Sequence, residues 1–296
     1  MRRVVVILSV LCGLSLAGCG EPKANRPSPP AVASPGSRPP AAGDHRLTLD
    51  VDGKRRTYLL HAPPGYDGDR PVPLVVGLHF YPGSGAALRD LIGLDAKADE
   101  HGFLVAYPDG TNGGFNALIC CGAEDDVAFL TALTERLIAE WRVDPDRVYL
   151  TGISNGGDMS FRAAVEAAGV FAAIGVVSGG LGGARAAAAG FVPERPVSVV
   201  TIIGAQDRYF DDFRTGLTRW QRRLSCVPVS GRPGGPAGVR RSSARCADGS
   251  DVEVYVVAGM GHSWPGAASG QLAAPDAPIV ATDIVWDFFA AHPRRR

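Results

Sequence analysis

Short apolar runs alternate with longer segments of helical spacing along most of the chain after about Arg46. Two runs with period-two alternation, 47–51 and 56–61, flank Asp52-Gly53 and predict a β-hairpin. Further buried strands are predicted at 73–78, 103–107, 148–151, 173–177, 197–203 and 252–257. Helices are predicted at 88–101, 125–141, 158–168, 212–224 and 282–291. Because strands alternate with helices, the pattern predicts an α/β fold with a mostly parallel central sheet and helices on both faces.

One stretch, 148–157, runs from a predicted strand through glycines into the helix predicted at 158–168. Within it, Gly152-Ile153-Ser154-Asn155-Gly156 fits G-x-S-x-G, the nucleophile elbow of α/β-hydrolases. A strand that turns sharply into a helix leaves no room for side chains beside its tip, so glycine on both sides exposes the serine hydroxyl. The pattern indicates Ser154 as a nucleophile, although an ordinary glycine-rich turn also fits the motif alone.

A serine hydroxyl becomes a good nucleophile only beside a base that a third group orients. In α/β-hydrolases the acid and then the histidine follow the serine along the chain. Only His262 and His292 follow Ser154. His262 lies in a loop directly after the predicted strand 252–257, whereas His292 ends the last predicted helix. We therefore expect His262 to be the base, with a loop histidine that has no role as the alternative.

The expected acid is Asp207, which follows the predicted strand 197–203 after a short turn. Asp211 and Asp212 are rivals, but they stand where the next predicted helix begins, which is typical of capping residues. Ligands of parallel sheets lie beyond the carboxyl ends of the strands. The sequence therefore predicts a catalytic set at 154, 207 and 262 that meets at one edge of the sheet.

An oxyanion needs hydrogen-bond donors in place before its charge develops. One donor is expected to be the backbone N–H of Asn155, the residue after the candidate nucleophile. The other is expected from the loop after 73–78, where Pro82 has no N–H and Tyr81 is favoured over Phe80.

Two aromatic side chains near these motifs are candidates for lining the substrate cleft. They are Trp264, two residues after the candidate base, and Phe115. Ordinary packing is the alternative for both.

The N-terminus has the pattern of a secretory signal, because Arg2 and Arg3 precede an apolar run at 4–11 and then small residues. Its ending, Leu16-Ala17-Gly18-Cys19, resembles a bacterial lipobox. This resemblance predicts a lipoprotein signal peptide at 1–18 and lipidation at the cysteine that follows it. A plain signal peptide cut near the alanine is the alternative.

The segment 19–45 is rich in Pro and Ala and predicts an extended tether. The remaining residues, 46–296, suit one catalytic domain. We therefore expect an extracellular protein that is held on the cell membrane by the lipid at Cys19.

Charge and cysteine usage exclude some other classes. The chain carries 30 Lys+Arg and 30 Asp+Glu without a basic stripe, so nothing indicates a nucleic-acid partner. Cys226 and Cys246 flank a loop rich in Gly, Pro and Arg and are expected to form a disulfide. Cys120 and Cys121 are adjacent, and the sequence leaves open whether they bond or stay reduced. No Cys/His spacing typical of a metal site occurs, so we expect neither a metal nor a cofactor.

Several short segments occur along the chain in a distinctive order. They are Leu78-His79, Tyr107-Pro108-Asp109-Gly110, Cys120-Cys121-Gly122, Asp125-Asp126-Val127, 152–157 and 261–266. This set resembles extracellular polyhydroxybutyrate depolymerases and the related feruloyl and acetylxylan esterases of carbohydrate esterase family 1. The resemblance covers nearly all of the predicted catalytic domain and implies an α/β-hydrolase fold. It implies Ser154 as nucleophile, Asp207 as acid and His262 as base, and Cys226 and Cys246 match the pair that precedes the histidine strand.

The sequence departs from the family pattern at two places. Phe80 follows His79 where the family usually has glycine, and the segment 112–119 lacks the tryptophan often found before Asn116. The resemblance implies a secreted serine esterase that acts on a polyester oligomer or a plant cell-wall ester. Its rival is a lipid-anchored binding protein with an inactive hydrolase fold, which Phe80 alone favours. A serine peptidase has no sequence feature in its favour.

Overall fold

The computed structural model describes residues 40–167, 169–230 and 235–294. The predicted signal peptide, Cys19 and most of the predicted tether lie outside the described residues. The first strand begins at Gly43, so the folded domain starts within the segment whose composition predicts a tether.

Within the described residues, ten strands form one sheet that is parallel in its centre and antiparallel at both edges. These strands are β1 (Gly43–Val51), β2 (Lys54–Ala62), β3 (Val72–Leu78), β4 (Leu104–Pro108), β5 (Val143–Ile153), β6 (Ala173–Val177), β7 (Ser198–Gly204), β8 (Val227–Pro228), β9 (Val239–Arg245) and β10 (Asp251–Val257). Their order is β1-β2-β4-β3-β5-β6-β7-β10-β9-β8. The six central strands, β4-β3-β5-β6-β7-β10, pair in parallel with their neighbours, which confirms the predicted sheet. Two further short strands, β11 (Trp264–Pro265) and β12 (Ala273–Ala274), pair with each other.

Helices pack on both faces of the sheet, as predicted. They are α1 (Gly85–Ile92), α2 (Leu94–His101), α3 (Asp126–Trp141), α4 (Asn155–Glu166), α5 (Gly183–Ala187), α6 (Phe210–Arg223) and α7 (Ala281–Ala291). Side chains of α3, α4 and α6 share one core with Leu74 and Val76, whereas those of α1, α2 and α7 share another core with Val75. Because neighbouring residues of a strand point to opposite faces, the two cores lie on opposite sides of the sheet. None of these helices has both the length and the apolarity to span a bilayer.

The predicted hairpin is confirmed. β1 pairs antiparallel with β2, and Val51 lies opposite Lys54. Asp52 and Gly53 take φ values of 50° and 75°, and a type I′ turn requires positive φ at both central residues. The local turn signal was therefore sufficient to fix the register of these two strands.

Two differences from the sequence prediction have a clear physical reason. The segment 88–101 forms two helices rather than one, because Gly93 lies between them with a left-handed φ of 61°. The pattern also missed β9, an antiparallel strand beside β10. Its sequence Val239-Arg-Arg-Ser-Ser-Ala-Arg245 lacks the apolar run that marks the buried parallel strands.

Both cysteine pairs in the described residues are bonded. Cys226 and Cys246 join the chain just before β8 to the residue after β9, which confirms the expected disulfide. Cys120 and Cys121 are bonded to each other, which resolves the state that the sequence left open. This second pair lies in the long connection between β4 and α3.

Candidate active site

Ser154 stands alone between the last residue of β5 and the first residue of α4. Its φ of 57° and ψ of −123° lie outside the regions that non-glycine residues normally adopt. A Cβ on Gly152 would lie 2.5 Å from the Gly156 carbonyl, and one on Gly156 would overlap the Leu78 carbonyl oxygen. Both glycines are therefore required for the close approach of three backbone segments, and the sharp turn expected from G-x-S-x-G is present.

Backbone hydrogen bonds hold Ser154 in this conformation. Its N–H donates to the Val177 carbonyl at the end of β6 at 3.1 Å, and its carbonyl accepts from the Asp158 N–H at 2.9 Å. The residue is half-buried. The turn therefore presents Ser154 at the carboxyl edge of the parallel strands, where ligands of such sheets bind.

Asp207 and His262 are in direct contact, although 55 residues separate them. The distance between His262 Nδ1 and Asp207 Oδ2 is 2.7 Å. The Asp207 side chain is fully buried, and its Oδ1 accepts from the Tyr209 N–H at 3.0 Å. A carboxylate can only accept, so Nδ1 carries the proton and Nε2 is left as the basic nitrogen.

The loop that carries His262 packs against the ends of β7 and β6. Gln206 N–H donates to the Met260 carbonyl at 2.9 Å, and Ser178 Oγ donates to the Ser263 carbonyl at 3.3 Å. Ser178 directly follows β6, and a Cβ on the next residue, Gly179, would lie 3.0 Å from the Ser154 carbonyl oxygen. The structure therefore brings the Asp207–His262 pair and the turn of Ser154 to neighbouring strand ends.

The loop after β3 is organised by His79, whose role the sequence did not reveal. The Gly110 N–H donates to His79 Nε2 at 2.9 Å, so Nδ1 carries the proton and donates to the Phe80 carbonyl at 2.7 Å. Burial lowers the pKa of His79, which favours this neutral form. In a planar trans peptide the N–H points opposite to the C=O, so the Tyr81 N–H is directed away from His79.

Asn155 begins α4, and its buried side chain is used by the protein itself. Oδ1 accepts from the Phe115 N–H at 2.8 Å, while Nδ2 donates to the carbonyls of Phe115 and Cys120 at 3.0 and 3.1 Å. The carboxamide therefore anchors the connection that carries the Cys120–Cys121 disulfide. Because the side chain of Asn155 is occupied in this way, its backbone N–H is the group of this residue that could bind an oxyanion.

The expectation that Trp264 and Phe115 line the cleft is corrected by their burial. The Trp264 side chain is 1% exposed, and its indole N–H donates to Thr282 Oγ1 at 3.1 Å. Phe115 is fully buried, and the centroid of its ring lies 4.6 Å from that of the His79 ring. Both side chains pack inside the core. They stabilise the segments that carry the site, and neither faces a substrate.

Other apolar side chains are exposed around the site. Tyr81 is 50% exposed, Ile119 is 57% exposed and Tyr209 is 40% exposed. The Tyr209 ring lies against the His262 ring, with 5.8 Å between centroids. An exposed apolar patch beside a site can mark a binding surface. We name these three side chains the apolar rim.

Asp158 is a buried carboxyl in the first turn of α4. It is 7% exposed and accepts from the Gly180 N–H at 2.8 Å. Burial raises the pKa of Asp158 from 3.8 to about 7, and the hydrogen bond from Gly180 opposes this shift only in part. The ionised form is therefore costly in the folded state.

We expect Asp158→Asn to reduce the loss of stability at rising pH. The pKa of Asp158 is higher in the folded state than in the unfolded chain. The protonated carboxyl therefore makes its full contribution to the free energy of unfolding below about pH 4, and this contribution is lost as the pH rises through about 7. Asparagine keeps an acceptor for Gly180 but does not ionise. Between pH 5 and pH 8, the fall in the free energy of unfolding should be roughly 2–3 kcal/mol smaller in the variant, as measured by urea titration.

The exposed residue Asp212 provides the control, since Asp212→Asn removes a carboxylate from a solvated position. This variant should follow the pH profile of the wild type. An Asp158→Asn profile parallel to that of the wild type would contradict the buried, costly carboxylate.

A buried ion pair holds the connection between β4 and α3. Arg56 Nη2 lies 2.6 Å from Asp126 Oδ1, and their side chains are 7% and 1% exposed. Asp126 Oδ2 accepts from the Asn116 N–H at 2.6 Å, and the Arg56 guanidinium lies 4.0 Å from the centre of the Phe129 ring. The sequence motif Asp125-Asp126-Val127 therefore has a structural role: its second aspartate supports the segment beneath the candidate site.

Asp126→Ala is expected to destabilise the fold by about 3–5 kcal/mol, because it leaves the Arg56 charge buried without a partner. Urea unfolding measures this change. Asp50→Ala is the matched control, since it removes an exposed ion pair with Arg55 in the same hairpin and should cost less than about 1 kcal/mol. Equal losses in the two variants would contradict the buried pair.

Within the described residues, one group could offer three metal ligands: Asp44, His61 and Asp95. The Arg89 guanidinium hydrogen-bonds to both carboxylates, and the Tyr107 hydroxyl donates to Asp95 at 2.6 Å. The positive charge that these acids require is thus already supplied by the protein. The group is an ion-pair network.

Known proteins resemble this chain in sequence and in fold. A family model described as esterase PHB depolymerase matches residues 56–202. The putative esterase NocK from Nocardia uniformis subsp. tsuyamanensis is 30% identical over 341 aligned positions, which cover 97% of each chain. Feruloyl esterase C from Emericella nidulans is 30% identical over 252 positions, which cover 80% of this chain and 84% of the relative. The acetyl xylan esterase from Aspergillus awamori has the same fold, with a TM-score of 0.60 and 17% identity over 75% of this chain and 94% of that structure.

The two relatives match 97% and 80% of this chain, and the solved structure has a similar fold. The α/β fold predicted from the alternation of strands and helices and the α/β-hydrolase fold that the family resemblance implies are therefore both confirmed. This chain belongs to the esterase PHB depolymerase family and is a carboxylic ester hydrolase.

Proposed function

We propose that the chain hydrolyses esters through an acyl-enzyme, with Ser154 as nucleophile, His262 as base and Asp207 as the orienting acid. The observation that carries this proposal is the 2.7 Å contact between His262 Nδ1 and Asp207 Oδ2 at the sheet edge where the elbow ends. The buried carboxylate selects the tautomer whose Nε2 can accept a proton. The strained backbone of Ser154 supports the role of nucleophile.

In the proposed reaction, Ser154 Oγ attacks the ester carbonyl carbon while its proton passes to His262 Nε2. The carbonyl π electrons move to oxygen and form a tetrahedral oxyanion. When the intermediate collapses, His262 returns the proton to the leaving alcohol oxygen, and Ser154 keeps the acyl group. Water then repeats the sequence on the acyl-enzyme and releases the carboxylic acid.

The oxyanion is proposed to bind the backbone N–H groups of Asn155 and Tyr81. The first lies at the N-terminus of α4, where free N–H groups favour negative charge. The direction of the Tyr81 N–H follows from the hydrogen bond between His79 and the Phe80 carbonyl, because that carbonyl and this N–H belong to the same peptide unit. Phe80 itself packs its side chain against the core, so a bulky residue is accommodated at this position without entering the site.

We propose an ester with an aromatic acyl group as the substrate class, of the kind that the name feruloyl esterase denotes in the relative from Emericella nidulans. The apolar rim of Tyr81, Ile119 and Tyr209 supports this choice, since a small acetyl group would leave it unused. A polyester oligomer is the second class, because the matched family is named for polyhydroxybutyrate depolymerases.

The test is a comparison of kcat/KM on methyl ferulate, acetylated xylan and a 3-hydroxybutyrate oligomer. We expect methyl ferulate to give the highest value, and Ser154→Ala to remove activity on all three. A higher value on acetylated xylan would contradict an aromatic acyl site. Turnover of the oligomer above that of methyl ferulate would favour the polyester class instead.

We further propose that the chain is exported and anchored to a membrane by a lipid at Cys19, with the residues between Cys19 and β1 as the tether. The basic start, the apolar run and the small residues before Cys19 support this proposal. Metabolic labelling with an alkyne-tagged fatty acid should mark the wild type and not Cys19→Ser. Equal labelling of both proteins, or of neither, would contradict it.

A further inference from the structure

The Cys120–Cys121 disulfide lies beside one of the two proposed oxyanion donors. The Asn155 carboxamide makes its hydrogen bonds to one short segment, through Phe115 N–H, the Phe115 carbonyl and the Cys120 carbonyl. Asn155 is only 3% exposed, so water has little access to replace these partners. The position of this residue, and of its backbone N–H, therefore depends on where the carbonyls of Phe115 and Cys120 point.

The same segment supports the other proposed donor. A Cβ on Gly114 would lie 2.7 Å from Cδ2 of Tyr81 and 3.1 Å from Cβ of Cys121, so the glycine backbone fills the space between the two residues. In addition, the Gly83 N–H donates to the Gly113 carbonyl at 3.0 Å. Both sides of the proposed oxyanion hole thus rest on the connection that carries the disulfide.

The chemistry of an adjacent disulfide explains why it matters here. The bond closes a small ring that contains the peptide unit between the two cysteines, so the Cys120 carbonyl carbon is a ring member and its direction is constrained. That carbonyl accepts from Asn155 Nδ2 at 3.1 Å and from the Ala117 N–H at 3.2 Å. Cys120 is exposed, so a thiol in solution can reach the bond.

We propose that the Cys120–Cys121 disulfide is a positioning element of the oxyanion hole, and that its reduction lowers the turnover of the enzyme. This inference rests on the proposed function. In the reduction, a dithiol gives two electrons and two protons, the S–S bond breaks, two cysteine thiols form and the dithiol becomes a cyclic disulfide. The peptide between the cysteines is then free to rotate, and Asn155 loses a fixed acceptor.

The expected loss falls on kcat, because an oxyanion donor acts in the transition state more than in substrate binding. A misplaced donor should lower kcat by about 10- to 100-fold and change KM by less than about threefold. The experiment measures both constants on p-nitrophenyl acetate for the full-length wild type and for Cys120→Ser/Cys121→Ser, with and without dithiothreitol. Thermal unfolding of each protein reports whether it is folded.

We expect dithiothreitol to bring the wild type to the low kcat of the double serine variant and to leave that variant unchanged. The unchanged variant would assign the effect to this pair, since Cys226–Cys246 is still present there. A variant with wild-type kcat would overturn the inference. So would a dithiothreitol effect of equal size in both proteins.

Asn155→Ala gives a second test, which holds even if the double serine variant does not fold. Alanine removes the carboxamide and keeps the backbone N–H, so we expect a similar loss of kcat and little further loss with dithiothreitol. Because the reduction acts through a contact that Asn155→Ala has already removed, the two effects should not add. Full addition would overturn the inference.

Binding of a boronic acid separates a positioning role from a general structural role, because its anionic tetrahedral adduct places an oxygen in the oxyanion hole. Its affinity should fall in parallel with kcat, and an unchanged affinity would overturn the inference. If Ser154→Ala is inactive while the double serine variant is fully active, only this inference fails. An active Ser154→Ala would defeat the proposed function instead.

Discussion

Ser154→Ala is expected to lower kcat on a p-nitrophenyl ester by about 10⁶-fold, because no other group at the elbow can form the acyl-enzyme. The substitution removes one oxygen and leaves the backbone hydrogen bonds to Val177 and from Asp158 in place. Folding should therefore be retained, and steady-state kinetics on purified protein measures the effect. The residual rate should reflect binding and the oxyanion donors alone.

Ser160→Ala is the matched control for this experiment. Ser160 lies on the same helix, α4, and its hydroxyl donates only to the Gly156 carbonyl at 2.8 Å. Its kcat should stay within a few-fold of the wild type. Substantial turnover by Ser154→Ala would show that the nucleophile lies elsewhere, whatever the control does.

Asp207→Asn is expected to lower kcat by about 10⁴-fold. Asp207 Oδ1 accepts from the Tyr209 N–H, and an asparagine would place its carbonyl oxygen there. Its NH₂ group would then face His262 Nδ1 and stabilise the tautomer with the proton on Nε2. That tautomer cannot accept the proton of Ser154, so the pair would keep its geometry and lose its chemistry. The measurement is kcat with a parallel thermal unfolding curve.

The controls for this variant are Asp211→Asn and Asp212→Asn, the two rivals that the sequence offered. Both side chains are exposed in the first turn of α6. Neither change should lower kcat more than a few-fold. A loss at Asp211 or Asp212 as large as that at Asp207 would contradict the assignment of the acid.

Features that depend on local backbone geometry could be predicted from the sequence. The glycines at 152 and 156 are required by the close approach of β3 and α4 to the elbow, and the motif therefore identifies the turn. The contact of Asp207 with His262 followed from their positions after parallel strands, whose carboxyl ends share one edge. The turn at Asp52 and Gly53 is local in the same way.

Features that depend on packing between distant segments could not be predicted. Trp264 is buried against helix α7 and Phe115 against His79, and no pattern near either residue encodes these contacts. The exposed Ile119 and Tyr209 lie in connections whose course depends on the whole fold. His79 was visible as a motif residue, but its function in orienting the Phe80 carbonyl required the partner at Gly110.

The most direct measurement of the central claim is labelling of the wild type with a fluorophosphonate, followed by peptide mass spectrometry. The oxygen of an activated serine attacks phosphorus, the base takes the hydroxyl proton and fluoride leaves, so the phosphonylated serine reports the nucleophile, the base and the oxyanion donors together. We predict one adduct, on Ser154, that is absent from Ser154→Ala and strongly slowed in Asp207→Asn. An adduct on another serine, or an unlabelled protein that still hydrolyses esters, would contradict the account.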